Sequence, residues 1–289
     1  MKKINICGVP EHFNLPWHLC IENNEFKKEN LEVKWTDVHE GTGKMCQMLR
    51  NGEADIAIVL TEGITKDIAA GNASKIVQIY VESPLIWGIH VEAHSDFYDI
   101  SDLQHKKVAI SRKGSGSELM AIVHAKRQNW DSSNLRFEII NNLKGAVQAL
   151  QKADADYFMW EKFMTKPFVD QGIFRRIGEF PTPWPCFVIA VREEFLFNNP
   201  NEIARLLKVI NHKTKTIKSI NDITNIFAER YHLNVEDVAQ WLIETEWSQR
   251  NLGEYEFLKI QSQLFDLQLI SKKSNYSSTV STTVNTTND

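Results

Sequence analysis

The sequence is poor in cysteine, with four in 289 residues, and has no apolar run of the length that crosses a bilayer, about eighteen residues or more. The second absence excludes a membrane-spanning helix, so no membrane insertion is expected. Cys7, Cys20, Cys46 and Cys186 lie far apart and form no Cys-x-x-Cys, which argues against a disulfide framework. Free thiols fit a reducing compartment. No histidine or carboxylate pairs stand at metal-ligand spacing, so no metal is expected. Basic excess is missing too: 33 Lys and Arg against 37 Asp and Glu give a net charge of −4. Such a chain is poorly equipped to displace counterions, which argues against a nucleic acid as main partner.

Met1-Lys-Lys-Ile-Asn-Ile-Cys-Gly8 opens with two lysines, but Glu11 and His12 interrupt the apolar stretch before a signal-peptide core could form. Residues 3–8 therefore read as a first strand. A cytoplasmic location is expected, and a membrane-transporter partner is doubtful without a leader. Phosphate-cofactor signatures are also lacking. No Gly-x-Gly-x-x-Gly occurs at the one promising turn, where Leu119 takes the third position, and no Gly-Lys-Ser/Thr closes a P-loop. No cofactor is expected.

That turn is the most informative stretch present: Val108-Ala-Ile-Ser-Arg-Lys-Gly-Ser-Gly-Ser-Glu-Leu-Met120. A short apolar run ends at Ile110, Gly114 and Gly116 follow, and helical spacing begins at Leu119, Met120 and Val123. Strand, glycine turn and helix start aim backbone N–H groups and the positive end of a helix dipole at one spot. Ser111, Ser115 and Ser117 add hydroxyls, and Lys113 adds a charge. Ser115-x-x-Glu118 also fits a capping box, which would explain both residues by helix-start chemistry alone. That box leaves the N–H groups of Gly116 and Ser117 for a ligand.

The same order of elements recurs along the chain. Strands are expected at 3–8, 31–38, 54–60 and 75–81, with helices between them. After a crossing strand at 85–91, a second series follows: strand 108–111, helix 114–128, strand 135–140, helix 143–151, strand 157–160 and a short helix 161–169. Segments 172–178 and 185–191 read as strands, and from Glu193 onward only helices are expected. The last of these run over 201–217, 223–231, 235–247 and 255–269. The Ser, Thr and Asn of 271–289 carry no apolar period and read as a disordered tail. Repeated βαβα units imply two α/β lobes built on parallel or mixed sheets.

Ligands of open α/β sheets bind outside the carboxyl ends of the strands. Those ends give the candidate site: Pro10, Glu11 and His12; Gly41, Thr42 and Gly43; Thr61 and Glu62; Ser111 with Lys113, Gly114, Ser115, Gly116 and Ser117; and Trp160 and Glu161. Trp184 joins them as a stacking surface, with Trp17 and Trp87 as further aromatic candidates.

Leu49-Arg-Asn-Gly-Glu-Ala-Asp-Ile-Ala57 resembles the strand entry of solute-binding proteins of the nitrate, sulfonate and taurine type. The succession of elements over residues 1–270 is similar to the type 2 periplasmic-binding-protein fold. Within that group the chain looks most like a small cytosolic branch of yeasts and some bacteria, prototyped by a Candida albicans protein. The resemblance implies a discontinuous first lobe of 1–88 and 189–270 and a second lobe of 89–188. It also implies two hinge strands near 85–91 and 186–191 and a small-molecule ligand between lobes. The leading expectation is non-catalytic binding of an anionic or zwitterionic metabolite by a monomer. An enzyme on the same scaffold, of thiamine-pyrimidine-synthase or menaquinone-pathway type, is the alternative. Glu11 and His12 with Glu62 or Glu161 would supply its acid and base, or Lys113 a Schiff base, although the dispersed cysteines do not match the first type. A protein-interaction module is the third class.

Overall fold

The computed structural model describes residues 1–282. Its ten strands are β1 (Lys2–Gly8), β2 (Leu31–Asp37), β3 (Ile56–Leu60), β4 (Ser74–Val81), β5 (Ile86–Glu92), β6 (Lys107–Ile110), β7 (Arg136–Ile139), β8 (Tyr157–Glu161), β9 (Phe174–Pro181) and β10 (Phe187–Arg192). They form two five-stranded sheets, ordered β2-β1-β3-β10-β4 and β7-β6-β8-β5-β9. The chain divides into two compact units. The first comprises Met1–Ser83, Trp184–His232 and the residues from Leu242 onward, and the second Pro84–Pro183 with Leu233–Trp241.

In the first unit β1 runs parallel to β2 and β3, and β10 lies antiparallel between β3 and β4. Every residue of β3 is buried, as expected of a strand covered on both faces. The helices Thr42–Asn51 and Thr61–Ala69 pack against it. The second unit repeats the plan: β6 is parallel to β7 and β8, and β5 lies antiparallel between β8 and β9. Its core joins Ala109, Ile140, Leu150, Phe158 and Phe174, with Trp160 packed against the cluster. Both units thus end their parallel strands at helix starts, with one antiparallel strand inserted into each sheet.

Several expectations change. Neither crossing strand is a free joint. Gly88 is paired on both sides, with Trp160 and Glu179, and a Cβ there would lie 2.4 Å from the His90 ring. Close packing, not flexibility, requires that glycine. The chain passes between units at four places rather than two, because 233–241 belongs to the second unit. Helix is not the only structure after Glu193. The expected helix over 235–247 stops at Glu244, and Trp247 bridges to Val81 instead. The expected tail is ordered where it is described. Tyr276–Thr279 forms a helical turn, Val280 bridges to Ile76, and the Ser281 N–H donates to the Ile76 carbonyl at 2.9 Å. An edge strand with open N–H and C=O groups provides the reason: β4 is covered by its own chain. Residues 283–289 of that expectation lie outside the described residues.

One glycine sets a test of this packing. Gly145 sits in the first turn of the Leu143–Gln151 helix, its N–H held by the Asn142 side chain at 3.0 Å. A Cβ there would lie 1.9 Å from the Ile140 carbonyl oxygen, a backbone atom that cannot rotate away. Gly145→Ala should therefore destabilise the fold by roughly 1–3 kcal/mol despite the better helix propensity of alanine. Urea unfolding checks this, and an unchanged or higher midpoint would refute it.

Candidate functional site

The first unit gathers three of the expected turns. β1 ends at Gly8, whose missing side chain leaves room for the Trp35 ring, 2.5 Å from where a Cβ would stand. The next residues fold back at once: the Glu11 N–H donates to the Val9 carbonyl at 2.8 Å, and Asn14 Nδ2 donates to the same carbonyl at 2.8 Å. Val9 reaches Gly41, which adopts a φ of +73° and opens the Thr42–Asn51 helix. Thr42 in turn presses its methyl group into the space beside Gly63, 2.2 Å from a Cβ there. Val9, Gly41, Thr42 and Gly63 are therefore one patch at the carboxyl ends of three parallel strands.

Thr61 and Trp184 have assigned work. Thr61 Oγ1 donates to the Pro185 carbonyl at 2.6 Å, and its N–H donates to the Cys186 carbonyl at 3.1 Å. That clasp holds the segment bearing Trp184, whose Nε1–H donates to Glu62 Oε2 at 2.7 Å. Glu62 is 1 % exposed, and its Oε1 accepts no hydrogen bond. Burial pushes its carboxyl up to about 7, opposed by its own N–H and by Trp184. Burial also raises Glu11 to about 7. His12 is fully buried, 4.7 Å from the Phe13 ring and edge-on to Tyr231 at 6.2 Å. Burial pushes it down to about 3, so it stays neutral and makes a weak base near neutral pH. Tyr231 belongs to this unit beside His12 and was not foreseen. Tyr231 comes from a distant helix, and no local pattern marks it.

In the second unit, three hydroxyls meet at the start of the Gly116–Arg127 helix. Ser117 Oγ accepts the Ser111 N–H at 2.9 Å and lies 3.0 Å from Ser115 Oγ and 3.3 Å from Ser111 Oγ. All three serines are buried. Ser115 caps the helix by accepting the Glu118 N–H at 3.3 Å. The returning arm of the capping box differs from expectation. Glu118 accepts from Gly114 N–H rather than from Ser115, because the Ser115 N–H donates to the Arg112 carbonyl. Gly114, at φ +76°, makes that shift possible. The N–H groups of Gly116 and Ser117, in the first turn, have no carbonyl within the helix to reach. If Ser117 gives its proton to Ser115, the Ser111 and Ser115 protons stay available, and four donors converge there. Lys113 is exposed beside them and forms no ion pair among the described residues.

Glu161 and Trp160 are used otherwise. Glu161 Oε2 accepts the Met164 N–H at 2.7 Å and caps the Lys162–Asp170 helix. Trp160 is half-buried against the core and 6.4 Å from the Phe158 ring. Trp17 is wholly buried between Phe26, Trp35 and Tyr80, which makes it core rather than stacking surface. Trp87 is buried within β5. Among the described residues no group of three or more His, Cys, Asp or Glu could hold a metal ion, and no helix is long and apolar enough to cross a membrane.

Paired sheets of this topology, each ending its parallel strands at polar helix starts, have counterparts among solved structures. The Candida albicans CA3427 protein, described as exhibiting the generic periplasmic binding protein fold, superposes with a TM-score of 0.89 at 25% identity, covering 97% of this chain and 96% of that one. Residues 87–180 match the family model of Ca3427-like periplasmic binding proteins. The chain has the periplasmic-binding-protein fold. The alkanesulfonate-binding protein SsuA of Xanthomonas axonopodis pv. citri, bound to MOPS, shares this binding-protein fold with a TM-score of 0.83 at 13% identity, over 98% of this chain and 99% of that one. The nitrate-binding protein NrtA of Synechocystis shares it at 0.74 and 11%, over 96% and 84%. No curated protein sequence matches the chain.

The buried titratable groups predict how stability depends on pH. His12, His90 and His124 are lowered by burial to about 3, 3 and 4, whereas Glu11 and Glu62 are raised to about 7. Between about pH 4.5 and 6.5 the unfolded chain protonates these three histidines, and His18, lowered first by burial, adds in the same direction, whereas the folded chain protonates two carboxyls that the unfolded chain has ionised. The unfolded state binds more protons, so stability rises with pH. Above about 6.5 only the carboxyl effect remains, and stability falls until about pH 7. The melting temperature should therefore peak near pH 6.5. Glu62→Gln should raise it at pH 8 and leave it nearly unchanged at pH 5. A monotonic profile, or equal shifts of the variant at both pH values, would contradict these assignments.

Proposed function

We propose that this chain binds a small anionic or zwitterionic molecule without transforming it. The observation that carries the reading is the convergence of Ser111, Ser115, Ser117 and the first-turn N–H groups at one helix start. Four donors, a helix dipole and an adjacent lysine suit an oxyanion group. The buried, neutral His12 supports binding over proton-transfer chemistry. The SsuA relative bound to MOPS, a sulfonate, supports the same ligand class.

MOPS itself is then a suitable first probe. Calorimetry in a buffer without sulfonate should detect binding, and Lys113→Ala should weaken it by about 1–3 kcal/mol, the range of a charge-assisted hydrogen bond. Because Lys113 is exposed, the melting temperature of the unliganded variant should not move. Equal affinity in wild type and variant would remove Lys113 from the site.

A cytoplasmic role, without a membrane transporter, completes the reading, and fractionation of the untagged native protein tests it.

A further inference from the structure

The Glu254–Asp266 helix of the first unit carries two apolar faces. One serves the fold: Phe257, Ile260, Gln261 and Leu264 are buried, and the helix packs against Thr61–Ala69. The other faces solvent. Tyr255 is 85 % exposed, Leu258 45 % and Phe265 42 %, and with Ser262 they follow one another at spacings of three, four and three residues. That spacing draws a single stripe along a helix, as in the seam of a coiled coil. Three large apolar side chains in one exposed row mark an interaction surface, which scattered ones do not. The stripe is also symmetric in itself. Tyr255 and Phe265 stand five residues on either side of Ile260, and Leu258 and Ser262 two on either side. Its ends carry opposite charge. Glu254 lies in the first turn, and at the other end Lys273 places Nζ 5.1 Å from the Phe265 ring centroid and donates to Ser262 Oγ at 3.1 Å.

We propose that this stripe is the interface of a homodimer, in which two copies of the chain pair their Glu254–Asp266 helices antiparallel about a twofold axis level with Ile260. A twofold contact is self-complementary, so each residue meets its counterpart across the axis. Tyr255 then meets the partner's Phe265, and Leu258 fills the space over the partner's Ser262, a residue small enough to admit it. Glu254 comes to the partner's Lys273. A parallel pair would instead set like charges together at both ends, so the charges select the antiparallel arrangement. Opposed helix dipoles favour it too. A 13-residue helix is about 20 Å long, so the contact is small and the dimer forms only at raised concentration. The monomer expected from the sequence is its dilute form.

Analytical ultracentrifugation of the full chain between about 1 μM and 1 mM tests this. The wild type should pass from monomer to dimer across that range. Leu258→Glu and Phe265→Glu should each stay monomeric throughout, and Tyr255→Glu, the most exposed of the three sites, serves should either of them fail to fold. Phe197→Glu, at a site 86 % exposed on a different helix, should dimerise as the wild type does. Glu254→Lys should weaken the dimer at least about threefold, and adding Lys273→Glu should restore it. Orientation is read by cross-linking, since the four natural cysteines are buried. Tyr255→Cys mixed with Phe265→Cys should give a disulfide-linked dimer more readily than either variant alone. A wild type that remains monomeric at 1 mM, or a dimer that survives the Leu258 and Phe265 variants, overturns the proposal. So does a dimer lost on Phe197→Glu, or Tyr255→Cys linking best to itself, which would mean parallel helices.

Discussion

The hydrogen bond from the Ser111 N–H to the Ser117 hydroxyl, 2.9 Å long, ties the end of β6 to the first turn of the helix that follows. Much of the second unit's chemistry depends on it. With the strand end fixed there, Ser115 falls at the cap, Gly114 takes its left-handed conformation, and Glu118 reaches back to the Gly114 N–H. The same bond spends one acceptor site of Ser117 and so determines which protons remain for a ligand. Helix-start stabilisation and ligand recognition draw on the same serines. The capping and binding readings of this turn are therefore compatible: the cap uses the third N–H, and the first two stay open.

The first unit solves the equivalent problem by close packing. Its strand ends are brought together through glycine: Gly8 under the Trp35 ring, Gly41 beside Val9 and Gly63 beneath the Thr42 methyl. At Gly8 and Gly63 the contact is too near for a Cβ, whereas Gly41 is required by its positive φ. Burial then raises Glu11 and Glu62 and lowers His12. The first unit holds a dry carboxylate, and the second a cluster of hydroxyl and amide donors.

Much of this was legible in the sequence, and the reason is local. Strand 54–60 announced itself by unbroken apolarity, because a strand covered on both faces admits nothing else. The turns at Gly41 and Gly114 were readable because positive φ is easy only for glycine. Ser115 and Glu118 stand three apart because a helix start requires that spacing. Missed elements failed for reasons just as physical. The Glu25–Lys28 turn is too short to show a period, and the Trp247 bridge depends on a strand edge 166 residues earlier in the chain, at Val81. The described part of the C-terminal stretch looked structureless because its stability comes from the β4 edge it covers rather than from its own apolar content.

By itself, the sequence determined the order of strands and helices, the positions of the glycine turns and the polar character of every strand end. These follow from periods of two and 3.6 residues and from steric rules that act within a few residues. Only the tertiary structure decided which strands run antiparallel, where the chain passes from one unit to the other, and which polar atoms find partners. Glu62 and Trp184 are 122 residues apart, and nothing near either residue encodes their hydrogen bond. The bond forms because Thr61 captures the carbonyls beside Trp184 when β10 inserts between β3 and β4. Burial of a whole sheet fixes that insertion, and local pattern cannot, since each strand would bury equally well in several neighbouring positions.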